Sequence, residues 1–231
     1  MKTIGLLGGM SWESSLEYYR IINQTVKRRL GGLHSARCLL HSYDFAEIEA
    51  LQHNDAWAEL ALKMIDGVQR LKAGGADFLV ICTNTMHRMA DEIEEATRIP
   101  LLHIADAAAG AIKTQGLEVV GLLGTNFTMT GDFYRKRLEE EHNIQVLIPD
   151  EASRQTIHRI IYDELVLGEI RKESREAYLY VIDQLAKKGA QGVILGCTEI
   201  PLLVKQKDTA IPVFDTTTLH AEAAVDWALK A

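Results

Sequence analysis

The sequence predicts an α/β protein of two similar domains, each built on a parallel sheet, and three observations carry that reading. Short apolar runs bounded by glycine alternate with longer stretches of helical periodicity, the pattern of buried parallel strands crossed over by helices. The chain has 231 residues, 47% of them hydrophobic, enough to bury one large core or two small ones. An internal repeat decides for two. Gly5-Leu6-Leu7-Gly8 returns as Gly121-Leu122-Leu123-Gly124, and Tyr18-Tyr19-Arg20 as Phe133-Tyr134-Arg135. Gly75-Ala76-Asp77 returns as Gly189-Ala190-Gln191 and Ile99-Pro100 as Ile211-Pro212, all at offsets of about 114 residues. Such ordered correspondences mark a duplicated βα unit, with expected domains 1–99 plus 209–231 and 100–208.

In chain order, Thr3–Leu7 reads as a buried first strand running into a Gly8-Gly9-Met10-Ser11 turn. Its apolar stretch is short, glycine-broken and followed at once by Trp12-Glu13, which sets it apart from a signal peptide. Ser14–Arg29 and Ala56–Leu71 carry helical periodicity. Phe78–Ile81, Val119–Leu123 and Gly192–Leu195 are the further strands expected. Ligands of open α/β sheets bind beyond the carboxyl ends of the strands. A pseudo-twofold between the domains is therefore expected to bring Cys82-Thr83-Asn84-Thr85-Met86-His87 face to face with Gly196-Cys197-Thr198-Glu199 across a cleft.

Composition removes several classes of function. A formal net charge of −7 speaks against nucleic acid, whose binders cluster Lys and Arg on phosphates. The runs Lys27-Arg28-Arg29 and Arg135-Lys136-Arg137 fall among helix-like residues and read as solvated faces. Three cysteines, Cys38, Cys82 and Cys197, without a Cys-x-x-Cys pair, point to reduced thiols in the cytoplasm rather than a disulfide framework or a thiolate zinc site. No apolar run approaches membrane-spanning length. Gly5, Gly8 and Gly9 do not form Gly-x-Gly-x-x-Gly, and no Walker lysine, His-Glu-x-x-His or Gly-x-Ser-x-Gly is present, so no cofactor and no metal are expected.

The chemistry is expected at the paired loops. A cysteine at a strand end before a helix N-terminus can serve as a base or nucleophile whose pKa the helix should depress, and Cys197 has that placement, although a free cysteine is also commonly one more small buried apolar side chain. Gly196 allows close approach, while Thr198 offers a hydroxyl and N–H groups to a carboxylate. Thr83, Asn84 and Thr85 supply donors and acceptors for an amino acid's carboxylate and ammonium, although the same residue types also make ordinary caps. Side chains alternate along a strand, so Cys82 should point to the core if Thr83 points out. His87 reads as support for the loop. Met10 through its backbone, Ser11, Thr125 and Thr128 stand where a substrate carboxylate would meet a helix start, although Ser11 reads equally as an ordinary N-cap, and Thr198 and Glu199 of the second loop are further expected substrate contacts.

Thr83-Asn84-Thr85-x-His87, Gly196-Cys197-Thr198-Glu199 and the Gly-Gly-Met-Ser turn together resemble the aspartate/glutamate racemase family over essentially the whole chain. The resemblance implies two Rossmann-like domains around a small amino-acid substrate, a homodimer, and two opposed cysteines that exchange the α-proton without pyridoxal phosphate or metal. It also implies one departure. Where the family usually has Cys-Asn-Thr this chain has Thr83-Asn84-Thr85, as in a subgroup with the same loop, so Thr83 and Cys197 become the catalytic pair. Gln52 resembles that subgroup's substrate-contacting position. Cations that many members carry after the second strand and before a second-domain glycine are absent from Asp44-Phe45-Ala46-Glu47 and Leu165-Val166-Leu167-Gly168. The activity implied is two-base racemisation of aspartate or glutamate. Its rivals are a one-cysteine decarboxylase or cis-trans isomerase of a small dicarboxylate, and a non-catalytic dicarboxylate-binding domain.

Overall fold

A computed structural model describes residues 1–230 and divides the chain into two compact units. The first is Met1–His103 with the chain from His220 onward; the second is Ile104–Leu219. In the first, β1 (Ile4–Gly8), β2 (Cys38–Ser42) and β3 (Phe78–Ile81) form a parallel sheet in the order β2-β1-β3, extended by a parallel bridge between Leu79 and Leu101. In the second, β4 (Val119–Gly124), β5 (Gln145–Leu147), β6 (Gly192–Gly196) and β7 (Val213–Asp215) run parallel in the order β5-β4-β6-β7. The repeat is thus structural: β1 answers β4, β3 answers β6, and the two Ile-Pro steps occupy one position. The Leu79 N–H donates to the Pro100 carbonyl, as the Val193 N–H does to that of Pro212, both at 2.8 Å.

Helices α1 (Trp12–Leu30), α2 (Phe45–His53), α3 (Trp57–Ala73) and α4 (Ala90–Thr97) belong to the first unit. Helices α5 (Ile104–Thr114), α6 (Asn126–Thr130), α7 (Asp132–Lys136), α8 (Glu151–Asp163), α9 (Lys172–Lys187) and α10 (Ile200–Leu203) belong to the second, and α11 (Thr216–Leu229) begins there and ends in the first. In α1, Tyr18, Ile22 and Val26 recur every fourth residue and are fully buried, and Lys27, Arg28 and Arg29 fill the last turn, where cations complement the helix dipole. That basic run is a helix end, as its helical setting predicts. Among the described residues no helix is long and apolar enough to cross a membrane.

Each strand divides its side chains between two cores. Leu79 and Ile81 join Ile48, Leu60 and Met64 beneath α2 and α3, while Phe78, Val80 and Cys82 join Tyr18, Ile22 and Val225 beneath α1 and α11. Full burial of each such Leu or Ile contributes about 1.5–3 kcal/mol. The second unit repeats the division, with Leu123 and Leu195 on the α8 and α9 side and Val120, Leu122 and Ile194 on the α5 side. Residues 209–219, assigned to the first domain from the sequence, lie in the second because β7 pairs with β6 and Phe214 enters the α5 core, and residues 100–103, assigned to the second, lie in the first, where Leu101 bridges to Leu79. Three short strands, β2, β5 and β7, escape a periodicity search, since runs of three to five residues, half of them only partly buried, leave too little pattern.

Candidate active site

In the first unit the Gly8-Gly9-Met10-Ser11 turn and the Thr83 loop leave the carboxyl ends of adjacent strands. The Cys82 N–H donates to the Leu7 carbonyl at 2.9 Å, and the Ser14 hydroxyl donates to the Cys82 carbonyl at 2.7 Å, so the start of α1 and the end of β3 are stitched together. Gly9, at φ +82°, lies so close to the backbone of Tyr43 that a Cβ would collide with it, which confines the turn to glycine. Ser11 is the N-cap of α1 and accepts from the Ser14 N–H at 3.3 Å. The Met10 side chain is buried with Ile48, Met86 and Met89, leaving its backbone for any ligand contact.

The Thr83 loop is buried almost throughout. Cys82 is fully buried with Phe78 and Val80, as strand alternation requires, and burial pushes its thiol pKa up. Asn84 and Thr85 are buried, and Thr85–Met89 winds into a 3-10 turn. Thr83 alone between Ile81 and His87 remains partly exposed. Its carbonyl accepts from His87 Nδ1 at 2.8 Å, which gives His87 the supporting part expected of it. Gln52, on α2, is 5% exposed, and its Oε1 has no hydrogen-bond partner in the structure. A buried acceptor left unpaired costs about 1–3 kcal/mol, a cost that a ligand's N–H groups would remove.

In the second unit β4 and β6 end side by side and close together. A Cβ on Gly124 would stand 2.8 Å from the Gly196 carbonyl, and one on Gly196 would stand 2.9 Å from that of Leu123. Only glycine at both positions lets the ends meet. Thr125 caps α6 and accepts from the Thr128 N–H at 3.3 Å. Thr128 is fully buried, with its hydroxyl 3.2 Å from that of Thr125, which is itself 6% exposed, so both threonines are buried at the start of α6.

Cys197 and Thr198 are partly exposed, and Glu199 is buried behind them. The Cys197 thiol donates to Glu199 Oε2 at 3.0 Å and the Thr198 hydroxyl donates to the same oxygen at 2.7 Å. This corrects the expectation of a depressed Cys197 pKa. Burial first, then the charge of Glu199 and the hydrogen bond to it, hold the thiol well above its ordinary value, and the backbone N–H groups only partly oppose them. The helix that follows, α10, spans only Ile200–Leu203, so it has little dipole to set against a buried carboxylate. Cys197 therefore rests as a thiol, a proton donor.

All the residues singled out in the sequence lie at strand ends, turns or the helices beginning there: Met10, Ser11, Gln52, Thr83, Asn84 and Thr85 in one unit, and Thr125, Thr128, Cys197, Thr198 and Glu199 in the other. His103 and His220, both buried around His87, carried no sequence signal.

The family model for Asp/Glu/Hydantoin racemase matches residues 7–224. The fold superposes on a crystal structure of a candidate Asp/Glu racemase from Yersinia pestis with a TM-score of 0.94, at 55% identity over 100% of both chains. An aspartate racemase homologue from Pyrococcus horikoshii OT3 matches with a TM-score of 0.87, at 32% identity over 100% of both chains. A broad specificity amino-acid racemase of Bacillus subtilis is 25% identical over 72% of this chain and 71% of its own length.

Proposed function

The chain belongs to the Asp/Glu/hydantoin racemase family, and on that footing we propose that it inverts the α-carbon of aspartate or glutamate with two bases and without pyridoxal phosphate or metal. Thr83 serves one face of Cα and Cys197 the other. The observation that carries this reading is that both sit at equivalent strand ends of a duplicated unit, each partly exposed in a loop that is otherwise mostly buried.

One group takes the α-proton, the electron pair left on Cα spreads into the substrate carboxylate as an enolate-like charge, and the opposite group returns a proton. Backbone N–H groups at the start of α1 and after Cys197 suit that carboxylate, and the unpaired Gln52 Oε1 suits the ammonium. Cys197, resting as a thiol, is ready to give a proton. In the reverse direction it first passes that proton to Glu199 Oε2, which already accepts its hydrogen bond. The Thr83 hydroxyl is a far weaker acid than a thiol, so its side of the reaction depends on how the loop holds it.

Cytoplasmic location and a homodimer belong to the same proposal. Free thiols at Cys38, Cys82 and Cys197 favour a reducing compartment. Trp12, Leu16 and Tyr19 form an exposed stripe along α1, and Leu40 is half exposed on β2, whose outer edge no described strand covers. This is the face a second copy would cover.

The test is incubation of enzyme, stripped by chelator and freed of pyridoxal phosphate, with L- or D-aspartate or glutamate in deuterated water. The opposite enantiomer, deuterated at Cα, is expected. Carbon dioxide, a geometric isomer of an added dicarboxylate, or dicarboxylate binding without turnover would replace this reading with the decarboxylase, the isomerase or the binding domain.

A further inference from the structure

Beneath Thr83 lies a group of three imidazoles to which the racemisation step assigns no part. His87 is 1% exposed. Its Nδ1 lies 2.8 Å from the Thr83 carbonyl, and because a carbonyl only accepts, Nδ1 carries the hydrogen. The ring is held edge-to-face by two others, with His103 at 4.6 Å between centroids and His220 at 5.5 Å. His220 is fully buried and pinned at both nitrogens. Nε2–H donates to the Leu102 carbonyl at 2.8 Å, and Nδ1, left as the acceptor, takes the Tyr18 hydroxyl hydrogen at 2.8 Å. Tyr18, itself fully buried in α1, meets the His220 ring edge-on at 5.6 Å.

The three rings arrive from separate stretches of chain. His87 follows Thr83 in the 3-10 turn, His103 is the last residue before the chain leaves the first unit, and His220 is the first after it returns. Three buried imidazoles are poor material for a core, because each nitrogen must be satisfied at a cost apolar rings avoid. What they supply that apolar rings cannot is a fixed N–H aimed at one carbonyl. Burial, with the neighbouring His103 and His220 adding to it, holds the His87 pKa well below its ordinary value, which keeps a single neutral tautomer in place.

We propose that His87, His103 and His220 form a positioning device for Thr83: the His87 N–H holds the Thr83 carbonyl, the other two rings hold His87, and together they fix the direction of the Thr83 hydroxyl. All three are buried, so the role assigned is positioning and not contact with substrate. The inference rests on the reading of Thr83 as one of the two proton-transferring groups.

The experiment follows α-proton exchange in deuterated water separately for each enantiomer, in His87→Phe, His87→Asn and Tyr18→Phe. Phe keeps the ring stack but removes the N–H; Asn returns an N–H near the Nδ1 position; loss of the Tyr18 hydroxyl loosens His220 without disturbing the imidazoles' shape. In His87→Phe, exchange from the enantiomer that gives its proton to Thr83 should fall about tenfold in kcat with little change in KM, while exchange on the Cys197 face stays within about threefold. His87→Asn should recover most of the loss. Tyr18→Phe should show a smaller loss on the same face, and it serves where His87→Phe does not fold. Equal losses on both faces, or unchanged exchange on the Thr83 face in all three variants, would overturn the proposal. If the unmodified enzyme exchanges no α-proton from either enantiomer, the racemase reading itself fails and this inference with it; exchange in the parent with no face-selective loss removes the inference alone.

Discussion

The Thr83 loop and the Cys197 loop occupy equivalent strand ends of a repeated unit and differ in what the chain packs around them. Each follows a buried strand next to the one carrying the glycine-rich repeat, and each leaves a single stretch of accessible side chain at the strand end. Around Cys197 the chain places a carboxylate, with Glu199 accepting from both Cys197 and Thr198. Around Thr83 it places buried imidazoles, of which His87 bonds the Thr83 backbone carbonyl. Topology therefore fixes where the strand-end side chain stands. Its acid strength and the means of holding it are set by the next few residues and by what packs under them.

That contrast is tested most sharply at Thr83 and Cys197, the two residues of the proposed pair. Cys197→Ser should lower racemisation by about 10²–10⁴-fold, the usual worth of a general acid or base, measured as formation of the opposite enantiomer. Thr83→Ala should stop net racemisation as well, yet leave α-proton exchange of one enantiomer in deuterated water through Cys197. Racemisation at the parental rate in Thr83→Ala would remove Thr83 from the mechanism. Thr83→Cys restores the pair usual in the family and should keep activity with an unchanged equilibrium.

Glu199→Gln tests the charged side of the comparison with a more moderate effect. Removing the charge that raises the Cys197 pKa should move alkylation of the thiol by iodoacetamide to lower pH. At fixed pH the thiolate population, and with it the alkylation rate, should rise roughly tenfold for every pH unit by which the thiol becomes more acidic. On the proposed mechanism turnover should fall as well, because the acceptor of the thiol's proton is lost. An unmoved alkylation profile would show that burial alone sets the thiol's acidity.

The smallest effect belongs to the imidazole side and appears as stability. His87 refuses a proton that the unfolded chain takes up near pH 6.5, since burial and then His103 and His220 lower its pKa. Above that pH neither state is protonated there and the group contributes nothing. Below it the unfolded state alone gains the proton, so stability should fall by up to ~1.4 kcal/mol per pH unit. Urea unfolding at pH 7.5 and 5.5 would measure the loss, and His87→Phe should flatten it. An equal slope in the variant would place the acid sensitivity elsewhere.

Much of the fold was legible in the chain because duplication and strand burial are both written locally. The repeat marks β1 with β4 and β3 with β6, and alternation along β3 turns Cys82 inward and Thr83 outward, as the structure has them. Short half-buried strands left no period, so β7 and with it residues 209–219 went to the wrong side of the division. The strand-end placement of Thr83 and Cys197 could be read, but not their surroundings. A cysteine before a helix reads as acidified, whereas Glu199 behind it reverses the sign.

What the sequence determined by itself is the α/β class, the duplication and the strand-end placement of Thr83 and Cys197, since each depends on neighbours a few residues apart or on a repeat visible by eye. Only the tertiary structure decided that Cys197 rests protonated, that Gln52 is buried with an unpaired acceptor, and that His87 meets His103 and His220. Desolvation and ring contact depend on which distant segments share a space. The Tyr18 hydroxyl and the His220 ring lie 2.8 Å apart at opposite ends of the chain, and no local pattern records that meeting.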